Sequence, residues 1–333
     1  MQSDIKASEY FRQEINRLAR EYTPFFFLID FELKKPFICL LDEASTQNVL
    51  FDYRGLSNCP RIKAEADSTR RSLLKNKKPV NFGTYSRAFE TAKRNLHAGN
   101  TYLINLTFPG GVETEYSLKE IFAYASAPYR LLFKNEFVMF SPEPFVRIEN
   151  GVIRGFPMKG TIDASIPDAE KKILADEKER REHNTIVDLI RNDIAMVSDQ
   201  VRVSRFRYID RIPIKEKELL QVSSEIEGRL PADWQTNLGD IILKMLPAGS
   251  ISGAPKRKTV EIIQAVEADQ RGYYTGISGI FDGKNLDSAV NIRFIEKTDA
   301  GYYFRSGGGI TSSSRLENEY RELKDKINVP SNR

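Results

Sequence analysis

FVRIENGVIRGFPMKGT, residues 145–161, is the stretch on which the fold turns. Apolar and polar residues alternate on both sides of Asn150-Gly151, a pair suited to the positive φ of a two-residue hairpin turn. Upstream, RLLFKNEFVMF (130–140) is another alternating or apolar run. Downstream, two further strand pairs are expected to turn near Asp282-Gly283 and Asp299-Ala300-Gly301. Strand-like runs also occur at PFFFLIDF (24–31), PFICLLD (36–42) and TYLINLTF (101–108). Helical spacing runs over Ser8–Tyr22, Thr84–Ala98 and Asp168–Val197, where Ile186, Val187, Ile190, Ile194 and Val197 share a face. A further helix starts at Pro255. The last is SRLENEYRELKDKIN (314–328), with Leu316, Tyr320, Leu323 and Ile327 as its stripe. Residues Ser68–Lys77 read as a polar, basic loop. Strands come in groups, helices in groups, and hairpins replace βαβ alternation. The expected fold class is therefore α+β with antiparallel sheets. No linker rich in Gly, Pro or Ser divides residues 1–333, so one unit of two intertwined lobes is expected.

Lys and Arg total 50 against 46 Asp and Glu, a net charge of +4 with no block of like charge. Nucleic acid as the main ligand is not suggested. The 41% apolar fraction supports a real core. Cys39 and Cys59 are the only cysteines, which excludes a disulfide framework and points to a reducing, cytoplasmic compartment. Two Cys and two His also speak against a structural zinc site. The N-terminus has no apolar signal core, and no run approaches the ~18 apolar residues of a membrane span.

Several residues could carry chemistry. Glu179 and Glu182 are three apart on one expected helix, and Glu319 and Glu322 are three apart on another. Brought together, four carboxylates would repel unless a cation such as Mg²⁺ lay between them; as isolated pairs they also read as ordinary solvated faces. Ser306-Gly307-Gly308-Gly309 reads as a loop between a strand and a helix, whose amides could meet an anion. PAGSISGAPK (247–256) opens a helix and is a second potential anion site. Lys159, between an apolar strand end and a glycine, could be desolvated and nucleophilic. Glu143 could be a general acid, and Arg293 could grip a carboxylate in bidentate fashion. Taken singly, each of the three also reads as an ordinary exposed or surface-paired side chain. His183 does not share a helix face with its neighbour Glu182 and reads as structural. Cys39 reads as packing.

The order of seven segments resembles the chorismate-utilising enzymes, which include anthranilate, aminodeoxychorismate, isochorismate and salicylate synthases. The segments are FSPEPF, FPMKGTID, KERREHNTIVDLIRNDIAMV, LPAGSISGAPKRKTVEII, YYTGISGIFD, NIRF and SGGGITSSSRLENEYRELKDK. They make residues 99–328 the expected chorismate-binding core and 1–98 a shortened N-terminal part. The resemblance implies the component I fold of these synthases, with antiparallel sheets sandwiched and helices outside. It implies that Glu182 and Glu322 ligate Mg²⁺ directly and that Glu179 and Glu319 assist through water. It implies that Thr161, Gly276, Arg293, Gly308, Gly309 and Lys326 bind substrate.

Within the family, the Pro-Met-Lys-Gly-Thr motif at 157–161 is closest to aminodeoxychorismate synthase component I. Anthranilate and isochorismate synthases have Ala where this chain has Lys159. The resemblance implies that Lys159 adds to ring carbon 2 of chorismate while Glu143 protonates the departing 4-hydroxyl. Ammonia then displaces the lysine. It further implies a separate glutamine amidotransferase subunit as ammonia source and a downstream aminodeoxychorismate lyase on the route to 4-aminobenzoate and folate, since neither a glutaminase signature nor a lyase domain is seen. Anthranilate synthesis and non-catalytic chorismate binding are the alternatives. Two positions depart from the family: Leu103 stands where others carry Lys or Gln, and Gln221 where many carry His. No tryptophan-binding region is recognisable, so no tryptophan inhibition is expected.

Overall fold

A computed structural model describes residues 2–59, 72–214 and 217–330. Two nine-stranded, wholly antiparallel sheets dominate it. The first runs, in spatial order, Met158–Asp163, Lys217–Arg229, Val152–Gly155, Pro144–Glu149, Leu286–Val290, Ile277–Phe281, Phe25–Ile29 and Phe37–Leu40, with Asp199–Ile214 on the outer side of Lys217–Arg229. The second runs Gly253–Ala254, Leu103–Glu113, Gly301–Ile310, Phe294–Thr298, Phe137–Ser141, Tyr129–Phe133, Val49–Tyr53 and Leu56–Ser57, with Lys75–Lys78 also pairing to Leu103–Glu113. The helices are α1 (Gln2–Arg20), α2 (Phe82–His97), α3 (Leu118–Tyr124), α4 (Ala169–Ala175), α5 (Glu177–Ala195), α6 (Leu238–Met245), α7 (Lys256–Val266) and α8 (Leu316–Asp325). The α+β class with antiparallel sheets is observed as expected.

Both sheets mix strands from residues 1–98 with strands from the rest of the chain. Phe25–Ile29 pairs with Ile277–Phe281, and Val49–Tyr53 with Tyr129–Phe133. Their apolar faces meet in continuous cores, one of which joins Phe25, Phe27 and Phe281 to Phe11 and Ile15 of α1 and Ile241 of α6. Cys39 is buried packing, its thiol pushed up to about 12 by burial.

Three local expectations change. The helix read over 168–197 is two helices, because the Asp176 carboxylate accepts the amides of Lys178 and Glu179 at 2.9 and 3.0 Å and caps α5. The Ser306–Gly309 run is not a loop but strand, paired residue for residue with Asn105–Phe108. Of the Ser68–Lys77 loop, residues 68–71 lie outside the described residues, and Lys75–Lys77 belong to a short strand.

α5 lies close on the first sheet because the sheet presents glycines to it. A Cβ on Gly155 would stand 2.5 Å from Ile190 Cγ2, and one on Gly228 only 2.1 Å from Ser198 Oγ. The second tie is ionic. Arg271 and Glu267 are 1% and 5% exposed and form a bidentate pair at 2.7 and 2.8 Å. Replacing Arg271 by Met would strand a buried carboxylate. We expect a loss of about 3–5 kcal/mol of unfolding free energy in urea, with a smaller loss when Glu267→Gln is added.

Candidate active site

A cavity of about 290 Å³ opens between the sheets. Glu143, Lys159, Gln221, Ser250, Arg293, Gly307, Gly308, Gly309, Glu322 and Lys326 all contribute to its wall. Lys159 comes from the strand Met158–Asp163, and Glu143 from the turn after Phe137–Ser141. The Glu143 amide is held by Ser141 Oγ at 3.0 Å. Burial pushes the Glu143 carboxyl above the ordinary carboxylate range, against the Ser250 hydrogen bond and the charges of Lys159 and Lys326, which lower it. A shift in this direction is the one a general acid needs. Lys159 Nζ lies 3.4 Å from Glu182 Oε2 on α5.

Glu179 and Glu182 lie on α5 and Glu319 and Glu322 on α8, with Glu182 near enough to Glu319 to act on it by charge. Burial, then the charge of Glu182, raises Glu179; burial raises Glu319, with Glu322 and Glu182 adding to it against a Ser314 hydrogen bond. Burial also opposes ionisation of Glu322, but Lys326, Lys159 and Lys178 outweigh it and hold the group below the ordinary range. Lys326 Nζ sits 2.7 Å from Glu322 Oε1 and donates to the Gly307 carbonyl at 2.8 Å. The donor set is all oxygen, and its members repel each other, which suits a hard divalent cation. Among the described residues, no three His, Cys, Asp or Glu side chains cluster closely enough to hold a metal by themselves.

Arg293 is half-buried, has φ +53°, and donates from NH1 to the Lys326 carbonyl at 3.0 Å. Burial lowers its pKa, opposed by Tyr274 and Glu322, but a guanidinium stays charged regardless. Beyond Arg305 the strand Gly301–Ile310 pairs only with Leu103–Glu113. Its other edge is therefore open toward the cavity at Gly307–Gly309, and amides on that side are free to meet an anion.

The structure does not bring every expected residue to the wall. A register shift at Gly160 separates Lys159 from Thr161, which is exposed and pairs with Gln221. Gly276 also lies outside the lining; a Cβ there would come 2.1 Å from the Ile29 carbonyl oxygen, so packing explains the glycine. The 247–256 loop is not a vacant anion site, because Asp193 Oδ2 already accepts the Gly249 amide at 2.9 Å. Instead the loop contributes Ser250, whose Oγ donates to Glu143 Oε1 at 2.5 Å. Sequence reasoning missed that residue; the only signal was its place in the small-residue loop. His183 is buried, bonded through Nε2 to Ser224 Oγ at 2.7 Å, and pulled down to about 4 by burial and Arg207. It is structural, as expected. Leu103 packs against Gly309 and offers no base.

A half-enclosed polar cavity between antiparallel sheets, lined by the half-buried acid Glu143, Lys159, Arg293 and Glu322, defines an enzyme site for a small anionic molecule. The chain belongs to the chorismate binding enzyme family, whose model matches residues 12–332. It is 50% identical, over 97% of both chains, to a protein of Haemophilus influenzae described as an uncharacterized PabA-like protein. It is 33% identical to aminodeoxychorismate synthase component 1 of Salmonella typhimurium, over 73% of this chain and 60% of that one. The crystal structure of anthranilate synthase component I from Streptococcus pneumoniae superposes with a TM-score of 0.64 at 26% identity, covering 77% of this chain and 59% of that one. No helix among the described residues is long and apolar enough to cross a membrane.

Gly160 is the point where α5 meets the lysine strand. Its φ is +73°, and a Cβ would stand 3.0 Å from Glu179 Oε2. We expect Gly160→Ala to cost about 1–2 kcal/mol in urea unfolding and to disturb the acidic pair beside it.

Proposed function

We propose that the chain is the component I of an aminodeoxychorismate synthase, converting chorismate and ammonia to 4-amino-4-deoxychorismate and water. The observation that carries this reading is Lys159 in the wall of one small cavity with the half-buried acid Glu143. Lys159, as its free amine, adds to ring carbon 2 while the 4-hydroxyl departs with the proton of Glu143 as water. Ammonia then adds at carbon 4, the bond to Lys159 breaks, and the amine is restored. The proton shed by the new ammonium group returns Glu143 to its acid form. Two allylic substitutions replace one difficult direct displacement. Arg293 and the open-edge amide of Gly309 hold the enolpyruvyl carboxylate beside Gly308, with Lys326 adding positive charge.

In this reading Glu182 and Glu322 would hold Mg²⁺, with Glu179 and Glu319 assisting, and the ion would supply positive charge for the ring carboxylate. A separate glutamine amidotransferase subunit supplies the ammonia, and a separate aminodeoxychorismate lyase takes the product toward 4-aminobenzoate and folate. The similarity to an anthranilate synthase structure keeps anthranilate as the second product to look for; Lys159 speaks against it.

The purified chain would be incubated with chorismate, Mg²⁺ and ammonium at mildly alkaline pH, with the product identified by mass spectrometry with and without the lyase. Aminodeoxychorismate that becomes 4-aminobenzoate is expected; anthranilate would overturn the reading. Lys159→Ala should still bind chorismate but lose amination by a factor of at least 10². Full ammonia-dependent activity in that variant would remove the nucleophile. Glu182→Ala and Glu322→Ala should each abolish Mg²⁺-dependent turnover, and wild-type rates at limiting Mg²⁺ would exclude that residue from the metal site.

A further inference from the structure

The 247–256 loop is tied on both sides of Ser250. The Gly249 amide donates to Asp193 Oδ2, and the Ile251 carbonyl accepts from Arg271 NH1 at 2.8 Å. Asp193 Oδ1 takes Lys256 Nζ at 2.6 Å, and Lys256 also reaches the Met245 carbonyl at 2.7 Å. Ser252 Oγ closes the turn on the Ala248 carbonyl at 2.8 Å. With both neighbours pinned, the Ser250 hydroxyl is delivered to Glu143 Oε1 at 2.5 Å.

A carboxylic acid that already accepts a hydrogen bond on one oxygen carries its proton most favourably on the other. Here Oε1 is the acceptor, which leaves the proton on Oε2. The charged groups that share the cavity with Glu143 are Lys159 beside Met158, Lys326 and Glu322 at the end of α8, and Arg293 and Arg305 from the second sheet. Of these, Lys159 and Lys326 act on it by charge, whereas Ser250 acts by direct donation.

We propose that Ser250 is a positioning residue for the acid: its hydroxyl fixes Oε1 as the acceptor, keeps the transferable proton on Oε2, and stabilises the carboxylate once that proton has gone. The inference rests on the reading of Glu143 as the general acid. It assigns a distinct task to a loop that otherwise reads as structural.

The sign of the effect follows from the forces on Glu143. Burial raises the carboxyl and the Ser250 bond lowers it, so loss of the hydroxyl moves the titration of Glu143 to higher pH. The acid becomes weaker and less well aimed. Turnover that needs protonated Glu143 then declines at higher pH than in the wild type, but from a lower plateau. The drop is expected to be on the order of tenfold, a part of the 10²–10⁴ that a positioned acid contributes.

The experiment is an infrared pH titration of the Glu143 carboxyl in the full chain, with Glu143→Gln to assign the band, alongside chorismate turnover. Ser250→Ala should raise the midpoint and slow turnover, and Ser250→Thr should restore both. A fold defect would not produce that selective rescue. An unchanged Glu143 midpoint in Ser250→Ala, or a shifted midpoint with wild-type turnover, would overturn the proposal. Full turnover in Glu143→Gln would instead remove the acid assignment beneath it; that failure is recognisable because the Ser250-dependent shift would persist.

Discussion

Arg271 is the constraint on which the site depends. A fully buried guanidinium must satisfy its donors inside the protein. It pairs with Glu267, bonds the carbonyls of Asn105 and Ile251, and lies 4.5 Å from the centre of the Phe31 ring. Its own amide is held by Glu32 Oε1 at 2.9 Å, and Glu267 in turn accepts the Thr107 amide at 2.8 Å. The N-terminal turn, the strand Leu103–Glu113, the loop of Ser250 and the end of α7 therefore meet at one cation. Asn105 and Ile251 both contribute to the cavity wall. No hydrophobic contact could substitute, because the groups being joined are backbone carbonyls whose burial requires a donor.

α5 provides the second constraint. Near its start it carries Glu179 and Glu182, and near its end Asp193. The first two lie against the lysine strand at Lys159 and Gly160, while the last holds Gly249 and Lys256. One rigid element thus sets the acidic rim and the acid-bearing depth of the cavity together. The close packing at Gly155 and Gly228 keeps it from sliding. Any side chain at those glycines would lift the helix and move both ends of the site.

The fold class was legible because its signals are local. The Asn150-Gly151 turn and the alternating runs beside it need no distant information, and both become a paired hairpin. The break at Asp176 was hidden because helical spacing continues through it, although an Asp two and three residues before the amides it caps is itself a sequence signal. The glycine run misled for a different reason. Glycine has little strand preference of its own, and its partners at Asn105–Phe108 lie some 200 residues upstream. Thr161 was placed in the site by the motif resemblance, and the bulge at Gly160 turns it to an exposed position instead. Ser250 was unreadable because its orientation is imposed by Asp193 and Arg271, neither of which is near it in sequence.

Glu143 and Glu322 face the same cavity, yet their surroundings drive them apart. Glu143 sits where burial is the dominant influence, with a hydroxyl as its direct partner. Glu322 is exposed at the rim, where an ammonium lies in direct contact with it and two further lysines add to that charge. The first balance favours a proton, the second an anion. Two carboxyls whose environments separate them in this way are suited to different tasks, one to give a proton and one to hold positive charge. The division does not require different residue types. It requires only that the ammonium groups lie nearer one glutamate than the other, and the last turn of α8 arranges this by placing Lys326 four residues after Glu322.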